Sequence, residues 1–216
     1  MPWIGVGCES FSTRIVFVGS GLRLLDREPM AVSRLAAGSC VLVSPFAAAV
    51  SGALEVVEGI ARVYCPCEET EGMTIAFLQA GESIRTDRLC SEGVCVEAIT
   101  PLVFRKLGAD ALSEGFDPVN EWTLQLLRIR HLGKAEQRLQ ALLSLLVNRM
   151  GLRCGDWCVL PYRLTHERIS ELIGTTRVTT TRLLSRLRAE QRLLVPAQEP
   201  VLCLDPAFIA SSPLAA

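Results

Sequence analysis

The feature that most constrains this chain is the stretch from residue 164 to residue 188, which reads LTHERISELIGTTRVTTTRLLSRLR. Its first part carries the apolar residues Ile169, Leu172 and Ile173 at the three- and four-residue spacing of one helix face. Gly174 follows them, and glycine adopts at little cost the left-handed conformation that ends many helices. The pattern therefore predicts a short helix, a tight turn and a second helix.

The second helix is predicted to start after a threonine cap at Thr175 or Thr176 and to end near Glu190. Its inward positions are Thr180, Leu183, Leu184 and Leu187, and its outward positions are Arg177, Val178, Thr181, Arg182 and Ser185. On such a face, arginine can bind guanine through two hydrogen bonds, valine can contact a thymine methyl group and hydroxyl groups can bind phosphates. Two helices and a turn with this face are typical of a DNA-binding helix-turn-helix.

The alternative interpretation is an ordinary solvated helix face. The threonines disfavour it, because β-branched residues form helices poorly and four of them in one short helix, Thr176, Thr179, Thr180 and Thr181, indicate selection for something else. The stretch also resembles the helix-turn-helix of the Crp/Fnr family of bacterial transcription regulators. The residues that carry this resemblance are Leu164, Thr165, His166, Ile169, Ser170, Ile173, Gly174, Thr176, Arg177, Thr179, Arg182, Leu183, Leu184, Leu187 and Arg188.

The resemblance implies that Arg177 and Arg182 contact bases or phosphates and that Thr179 and Ser185 contact phosphates. Cyclic-AMP-responsive members have glutamate where this chain has Val178, whereas cyanobacterial nitrogen-control regulators have valine. The valine should therefore change the half-site. The candidate DNA-binding residues are Thr165, Thr176, Arg177, Val178, Thr179, Thr181, Arg182, Ser185 and Arg186. Thr180 stands at a position that is usually apolar in the family.

Length and charge fit a two-part protein. A chain of 216 residues, half of them hydrophobic, can bury a sizeable core, and we expect it to form two modest domains. The net charge is -1, but residues 134–216 carry 11 basic and 7 acidic side chains, while residues 1–133 carry 11 and 16. The basic second part is suited to phosphate contacts, and the acidic first part disfavours DNA wrapping around the whole protein.

Short β-prone segments fill the first half. The predicted strands are Ile15–Val18, Val41–Val43, Ala53–Val57, Ile60–Cys65, Met73–Leu78, Cys95–Ile99 and Leu102–Leu107. Gly59 and Gly81 separate some of them, and residues 68–72 are predicted to be a hairpin loop. Many short, closely spaced strands indicate a β-roll or barrel.

Residues 54–84 resemble the effector-domain core of the same family. Cyclic-nucleotide binders follow it with a turn and an Arg-Ser or Arg-Thr pair, where this chain has Glu92 and Gly93. A carboxylate there would repel a phosphate, so we expect no response to a cyclic nucleotide. Arg85, Arg88 and Arg105 are candidates for a pocket that binds a carboxylate metabolite, although surface arginines are common; the effector is unknown.

The cysteines and histidines give weak signals. Cys65 and Cys67 lie two apart, so on a regular strand they would share a face suited to thiol sensing, with burial as ordinary hydrophobes the alternative. Cys8 stands alone, and neither Cys65 with Cys67 nor Cys154 with Cys158 has a second pair at zinc-site spacing. We expect no metal and no cofactor. With two histidines and no catalytic motif, we expect no enzyme activity.

A helix is predicted to begin at Pro118, with Val119, Trp122, Leu126 and Ile129 forming an apolar seam. The family resemblance implies that this helix pairs with its copy in a homodimer; the alternative is that it lies on the β-roll. Beyond a hinge at Gly133, residues 135–150 form a second helix. A short strand at residues 159–160 and a hairpin of residues 193–195 and 201–204 complete a winged helix-turn-helix.

The predicted fold is therefore α+β: a cyclic-nucleotide-binding-like β-roll (residues 1–108), a dimerisation helix and hinge (109–133) and a winged helix-turn-helix (134–216). The predicted function is a sequence-specific transcription regulator that binds a palindromic operator as a homodimer and contacts RNA polymerase. The alternative is a ligand- or protein-binding β-roll whose helix-turn-helix is secondary. No signal peptide or membrane-spanning stretch is evident, so the sequence predicts a cytoplasmic protein.

Overall fold

Strands dominate the first half of the chain. The computed structural model describes residues 15–18, 21–24, 32–43, 52–67, 70–85, 88–89, 93–108 and 117–214. The first ten strands are β1 Ile15–Val18, β2 Gly21–Leu24, β3 Val32–Leu35, β4 Cys40–Val43, β5 Gly52–Glu58, β6 Ala61–Cys67, β7 Thr70–Leu78, β8 Ser83–Arg85, β9 Val94–Ala98 and β10 Leu102–Gly108. All seven predicted strands are confirmed, with ends shifted by a few residues. Strands β2, β3 and β8 were not predicted.

Eight of these strands form two antiparallel sheets, in the orders β3-β10-β5-β8 and β4-β9-β6-β7. The sheets enclose a common apolar core, because strands of both sheets contribute buried alternate residues such as Val41, Val56, Leu78 and Phe104. Strands β1 and β2 pair separately as a hairpin. The α+β fold class with an N-terminal β-roll is therefore confirmed.

The hairpin between β6 and β7 is longer than predicted. Strand β7 already begins at Thr70 and pairs with Cys67, so the prediction of a loop over residues 68–72 was wrong at its C-terminal end. Gly72 lies within the strand with φ +89°, and a Cβ atom there would overlap the ring of Tyr64. The glycine that suggested a loop therefore allows two strands to approach closely.

Helices α1 (Pro118–Arg130) and α2 (Ala135–Met150) follow the β-roll. Asp117 caps α1, because its carboxylate accepts hydrogen bonds from the backbone N–H groups of Val119 and Asn120 at 3.1 and 3.3 Å. The bounds predicted for α2 are confirmed. A four-residue turn around Gly133 joins the helices, at the place where the hinge was predicted.

The apolar seam predicted for dimerisation on α1 instead faces the chain's own core. Trp122 is 1% exposed and packs edge-to-face on Phe77 of β7, with ring centroids 5.5 Å apart. Leu126 and Ile129 are also buried, and Val119 packs partly buried against the same core. The prediction that Trp122, Leu126 and Ile129 form a dimer interface is therefore wrong, because these side chains are buried in the chain's own core.

The C-terminal part combines three helices with a third sheet. Its strands are β11 Leu152–Cys154, β12 Trp157–Leu160, β13 Leu193–Leu194 and β14 Leu202–Leu204, and its helices are α3 His166–Ile173, α4 Arg177–Ala189 and α5 Pro206–Ala210. The sheet order β11-β12-β14-β13 includes the predicted wing hairpin. Strand β11 was not predicted. No helix among the described residues is long and apolar enough to cross a membrane.

The glycines between strands give a test of the β-roll. Gly59 has φ +90° and its added Cβ would overlap the backbone oxygen of Pro101, whereas Gly81 has φ +87° and open space around its Cβ position. We expect Gly59→Ala to lower the free energy of unfolding by about 3 kcal/mol or more, and Gly81→Ala by about 1 kcal/mol, the cost of the left-handed conformation alone. Urea denaturation measures both; equal losses would contradict the steric role of Gly59.

Candidate nucleic-acid interface

The turn between α3 and α4 is built as the sequence predicted. The hydroxyl of Thr165 caps α3 by accepting a hydrogen bond from the N–H of Arg168 at 3.1 Å. Gly174 ends that helix in the left-handed conformation, at φ 59° and ψ 55°. The hydroxyl of Thr176 then caps α4 by accepting from the N–H of Thr179 at 3.2 Å. These local bonds fix the angle at which α4 leaves α3.

Helix α4 has one buried and one exposed face. Leu184 and Leu187 are buried against the core, Leu183 is half-buried, and Thr180 is 0% exposed. The Thr180 hydroxyl has no hydrogen-bond partner in the part of the chain that the structure describes. Burying a hydroxyl without a partner costs free energy, so this position is a weak point in the packing under the helix.

The opposite face of α4 presents the predicted reading residues to solvent. Arg177, Arg182 and Ser185 are exposed, and Val178 is 69% exposed, more than any other large apolar side chain described. Among the residues that the structure describes, the guanidinium groups of Arg177 and Arg182 make no hydrogen bond or ion pair. Their donors are therefore free to bind an external acceptor.

Arg186 differs from these two arginines. It lies at the edge of the same face, and its guanidinium pairs with Glu190 at 2.8 Å and with Glu136 of α2 at 3.4 Å. Thr179 is half-buried, and its hydroxyl lies 3.0 Å from that of Thr176. The nine predicted contact residues therefore divide into an exposed centre and a flank whose groups already have partners within the protein.

His166, at the start of α3, is tied to the reading face. Its Nδ1 lies 2.8 Å from the hydroxyl oxygen of Thr181, and that hydroxyl donates its only hydrogen to the carbonyl of Arg177 at 2.9 Å. The histidine must then donate from Nδ1, which leaves Nε2 as the acceptor of the neutral ring. Burial, followed by the nearby charges of Arg188, Arg177 and Arg163, lowers the pKa of His166, so the ring is neutral at neutral pH.

Polar contacts join this helix-turn-helix to the β-roll. Glu171 of α3 accepts hydrogen bonds from the backbone N–H of Thr74 at 3.1 Å and from its hydroxyl at 2.7 Å. The guanidinium of Arg62, 0% exposed, donates to the Thr74 hydroxyl at 2.7 Å and to Glu97 at 2.8 Å. Glu97 also accepts from Arg168 of α3 at 3.1 Å. Sequence patterns did not reveal this cluster, because its members are far apart in the chain.

The arginines proposed for an effector pocket lie outside the core of the roll. Arg105 lies on the outer face of β10 and pairs with Glu55, and Arg88 is exposed, 3.4 Å from Asp117. Arg85 follows the inward-pointing Ile84 on β8 and therefore lies on the outer side of the sheet. The three arginines therefore do not line the interior of the roll, and their binding of a carboxylate metabolite stays a prediction.

The space between the two sheets of the roll is small and apolar. A cavity of about 10 Å³ remains there, roughly the volume of one water-sized probe. Its lining residues are Val41, Leu54, Val56, Leu78, Ile84, Val96, Leu102 and Phe104. Small-molecule sites usually enclose about 300 Å³ or more, so this cavity is far smaller than such a site. Glu92, which was predicted to repel its phosphate, lies outside the described residues.

Cys65 and Cys67, the predicted thiol pair, lie on the β6–β7 hairpin. The β6–β7 register is irregular between Cys65 and Cys67, so the strict alternation on which a shared face depends does not hold there. Cys65 packs partly buried against the core. Within the described ranges, no group of three or more His, Cys, Asp or Glu side chains is arranged to hold a metal ion. Cys8 is outside those ranges.

A β-roll, two linking helices and an exposed arginine-bearing α4 define a helix-turn-helix regulator. Two family models match the chain: the cyanobacterial CRP family N-terminal domain over residues 33–119 and the Crp-like helix-turn-helix domain over residues 137–208. The chain is 30% identical over 144 residues to the regulatory protein CysR of Synechococcus elongatus, a match covering 64% of this chain and 70% of that protein. The chain therefore belongs to the Crp/Fnr family of transcription regulators.

Further comparisons agree with this assignment. The global nitrogen regulator of Nostoc sp. is 36% identical over 75 residues, which are 35% of this chain and 32% of that protein. The solved structure of FixK2 from Bradyrhizobium japonicum matches with a TM-score of 0.67 at 16% identity, covering 87% of this chain and 98% of that one. A CRP/FNR-family regulator from Thermus thermophilus matches with a TM-score of 0.60 at 18% identity, covering 84% and 100%. At these identities the two structures support the fold alone.

The hydroxyl of Thr180 gives a test of the packing under α4. Thr180→Val replaces it with a methyl group of similar shape, so we expect the free energy of unfolding to rise by about 1 kcal/mol. Thr180→Ser keeps the hydroxyl and removes the methyl group, and should lower the free energy by about 1 kcal/mol. Urea denaturation of the two variants measures both effects. A valine variant less stable than the parent would mean that the hydroxyl has a partner.

Proposed function

We propose that this regulator binds DNA sequence-specifically as a homodimer on a palindromic operator and does not require a cyclic nucleotide. The observation that carries the proposal is the exposed face of α4, where Arg177 and Arg182 project guanidinium groups without partners in the described structure on both sides of Val178. A face with free donors and an apolar centre is suited to base edges in the major groove.

The proposed contacts follow from the position of each side chain. Arg182 and Arg177 bind guanine or phosphate, and Val178 contacts a thymine methyl group. The capping residues Thr165 and Thr176, together with Thr179, Thr181 and Ser185, hold the phosphate backbone and fix the register of α4 in the groove. Arg186 contributes charge at the edge of the interface, where its ion pairs with Glu190 and Glu136 limit base reading.

The proposed dimer interface is the face of α1 opposite the residues predicted from the sequence. Leu124 and Leu127 are 50% and 52% exposed, and with Asn120 and His131 they follow the alternating four- and three-residue spacing of a helix–helix seam. Two exposed leucines one turn apart are costly in water and are buried when two copies of α1 pair. A two-fold dimer then presents two copies of α4 to a palindrome.

Independence of a cyclic nucleotide is supported by the filled interior of the roll, where only about 10 Å³ is open between the two sheets. The remaining parts of the proposal rest on the family: a cytoplasmic protein that contacts RNA polymerase and has no enzyme activity. We retain the boundaries 1–108, 109–133 and 134–216 as the proposed division into β-roll, dimerisation helix with hinge, and DNA-binding domain.

The experiment that tests this function is the selection of bound duplexes from a random pool with purified, ligand-free protein. We expect one palindrome. Arg182→Ala should then weaken binding to it by about 1–3 kcal/mol and relax the preference at one position of each half-site. Arg186→Ala, the matched control, should weaken binding to all DNA sequences by the same factor. If no sequence is enriched by folded, dimeric protein, either an effector is missing or the β-roll is the working part, and repeating the selection with metabolite extract separates these outcomes.

The dimer interface has its own test. Leu127→Glu places a charge in the proposed seam, so we expect a monomer at micromolar concentration. We also expect a large loss of operator affinity, because a monomer binds only one half-site at a time. Leu152→Glu, at an exposed leucine on β11, is the control and should remain dimeric. Sedimentation equilibrium measures the mass of each variant. A dimeric Leu127→Glu protein would exclude this face.

A further inference from the structure

Helix α3 is attached to the β-roll through the side chain of Glu171. Its two carboxylate oxygens accept hydrogen bonds from the backbone N–H and the hydroxyl of Thr74 on β7, at 3.1 and 2.7 Å. The same hydroxyl accepts a hydrogen bond from the Nε of Arg62, at 2.7 Å. A single threonine therefore links a carboxylate of the DNA-binding half to a cation of the sheet.

Arg62 makes this attachment stiff. Its side chain is 1% exposed, and its guanidinium lies 2.8 Å from Glu97 and 3.9 Å from Glu171, with the ring of Tyr64 4.1 Å from its central carbon. A buried cation needs all of these partners, because removal from water costs several kcal/mol that only well-placed carboxylates and hydrogen bonds offset. Moving α3 away would leave Arg62 with one carboxylate fewer, so the docked position is strongly preferred.

Helix α1 also contacts α3, through the side chain of Arg130. The guanidinium of Arg130, in the last turn of α1, donates from Nε to the carbonyl of Leu172 at 3.3 Å and from Nη2 to the carbonyl of Glu171. These carbonyls lie in the last turn of α3, immediately before the Gly174 turn into α4. Arg130 therefore fixes the last turn of α3 relative to α1, and the Gly174 turn then sets the direction of α4.

We infer that this cluster of Arg62, Thr74, Glu97, Arg130 and Glu171, the α3 clamp, determines the spacing between operator half-sites that the dimer accepts. The inference rests on the proposed dimer, in which α1 carries the two-fold axis. With α3 clamped to α1 and to the roll, the two copies of α4 keep one separation and one mutual rotation. The clamp forms from side chains of this chain alone, so it needs no effector to hold that geometry.

Without the clamp, α3 would be held to the roll by the pair of Arg168 with Glu97, while the pairs of Arg149 with Glu82 and Glu121 would still keep α2 beside the roll and α1. Adding or removing one base pair shifts a half-site by about 3.4 Å and rotates it by about 35°. A clamped dimer meets such a site only by deforming the DNA, whereas a dimer in which α3 and α4 can move relative to α1 adjusts to it. Spacing tolerance therefore reports on the clamp and not on the chemistry of base reading.

The test uses the selected palindrome and versions of it with one or two base pairs added to or removed from its centre. For the parent protein we expect each one-base-pair change to lower affinity about tenfold or more. For Glu171→Ala we expect each one-base-pair change to lower affinity about threefold or less, with the base preference within each half-site unchanged. Glu167→Ala removes the same charge from an exposed position on the same helix and should keep the parent's spacing profile.

Each result has a defined meaning. If the parent selects no palindrome, the proposed function fails, and the clamp is then judged by whether Glu171→Ala changes protection of α3 from hydrogen exchange relative to Glu167→Ala; no change overturns it. If the parent selects a palindrome and Glu171→Ala keeps the sharp spacing profile, the inference is wrong. Should Glu171→Ala fail to fold, Thr74→Val decides, because it removes the bridging hydroxyl and leaves α3 intact.

Discussion

The burial of one guanidinium group underlies the arrangement of the whole chain. Arg62 emerges from the outer face of a sheet, and a cation in that position is tolerated only when carboxylates approach it from neighbouring elements. Glu97 on β9 supplies one of these carboxylates and Glu171 on α3 supplies the other. Glu171 lies 97 residues along the chain from Thr74, to which it is hydrogen-bonded. Burial, followed by Arg168, lowers the pKa of Arg62, while hydrogen bonding and charge from Glu97 oppose the change. The β-roll thereby specifies where the helix-turn-helix docks.

The interior of the roll and its outer face have different roles. Inside, side chains such as Leu54, Ile84 and Phe104 fill the space in which a larger cavity would hold a small molecule. Outside, polar side chains contact α3 and apolar ones contact α1, where Trp122 packs on Phe77. A roll with a packed interior and an interacting outer surface is suited to act as a scaffold that positions the reading helix.

Local signals in the sequence were sufficient for much of the fold and of the candidate site. The capping threonines, the left-handed Gly174 and the bounds of α2 were all predicted, because helix ends and helix periodicity depend on neighbouring residues. Strands β3, β8 and β11 were not, because polar and charged residues interrupt them and their pairing with distant strands defines them. The sequence did not show that Arg85 and Arg105 lie on the outer side of a sheet, because sheet pairing, not composition, decides which side a charge faces.

The sequence by itself determined helices α1 to α4, the turn between α3 and α4, and the arginine-bearing outer face of α4, because each depends on interactions within a few residues. Only the tertiary structure decided which face of α1 is covered. That helix has apolar residues on two sides, and packing on β7 buries Trp122, Leu126 and Ile129 and leaves Leu124 and Leu127 in solvent. Only the tertiary structure likewise brought Thr74 to Glu171, since long-range pairing of polar groups leaves no periodic signal in a sequence.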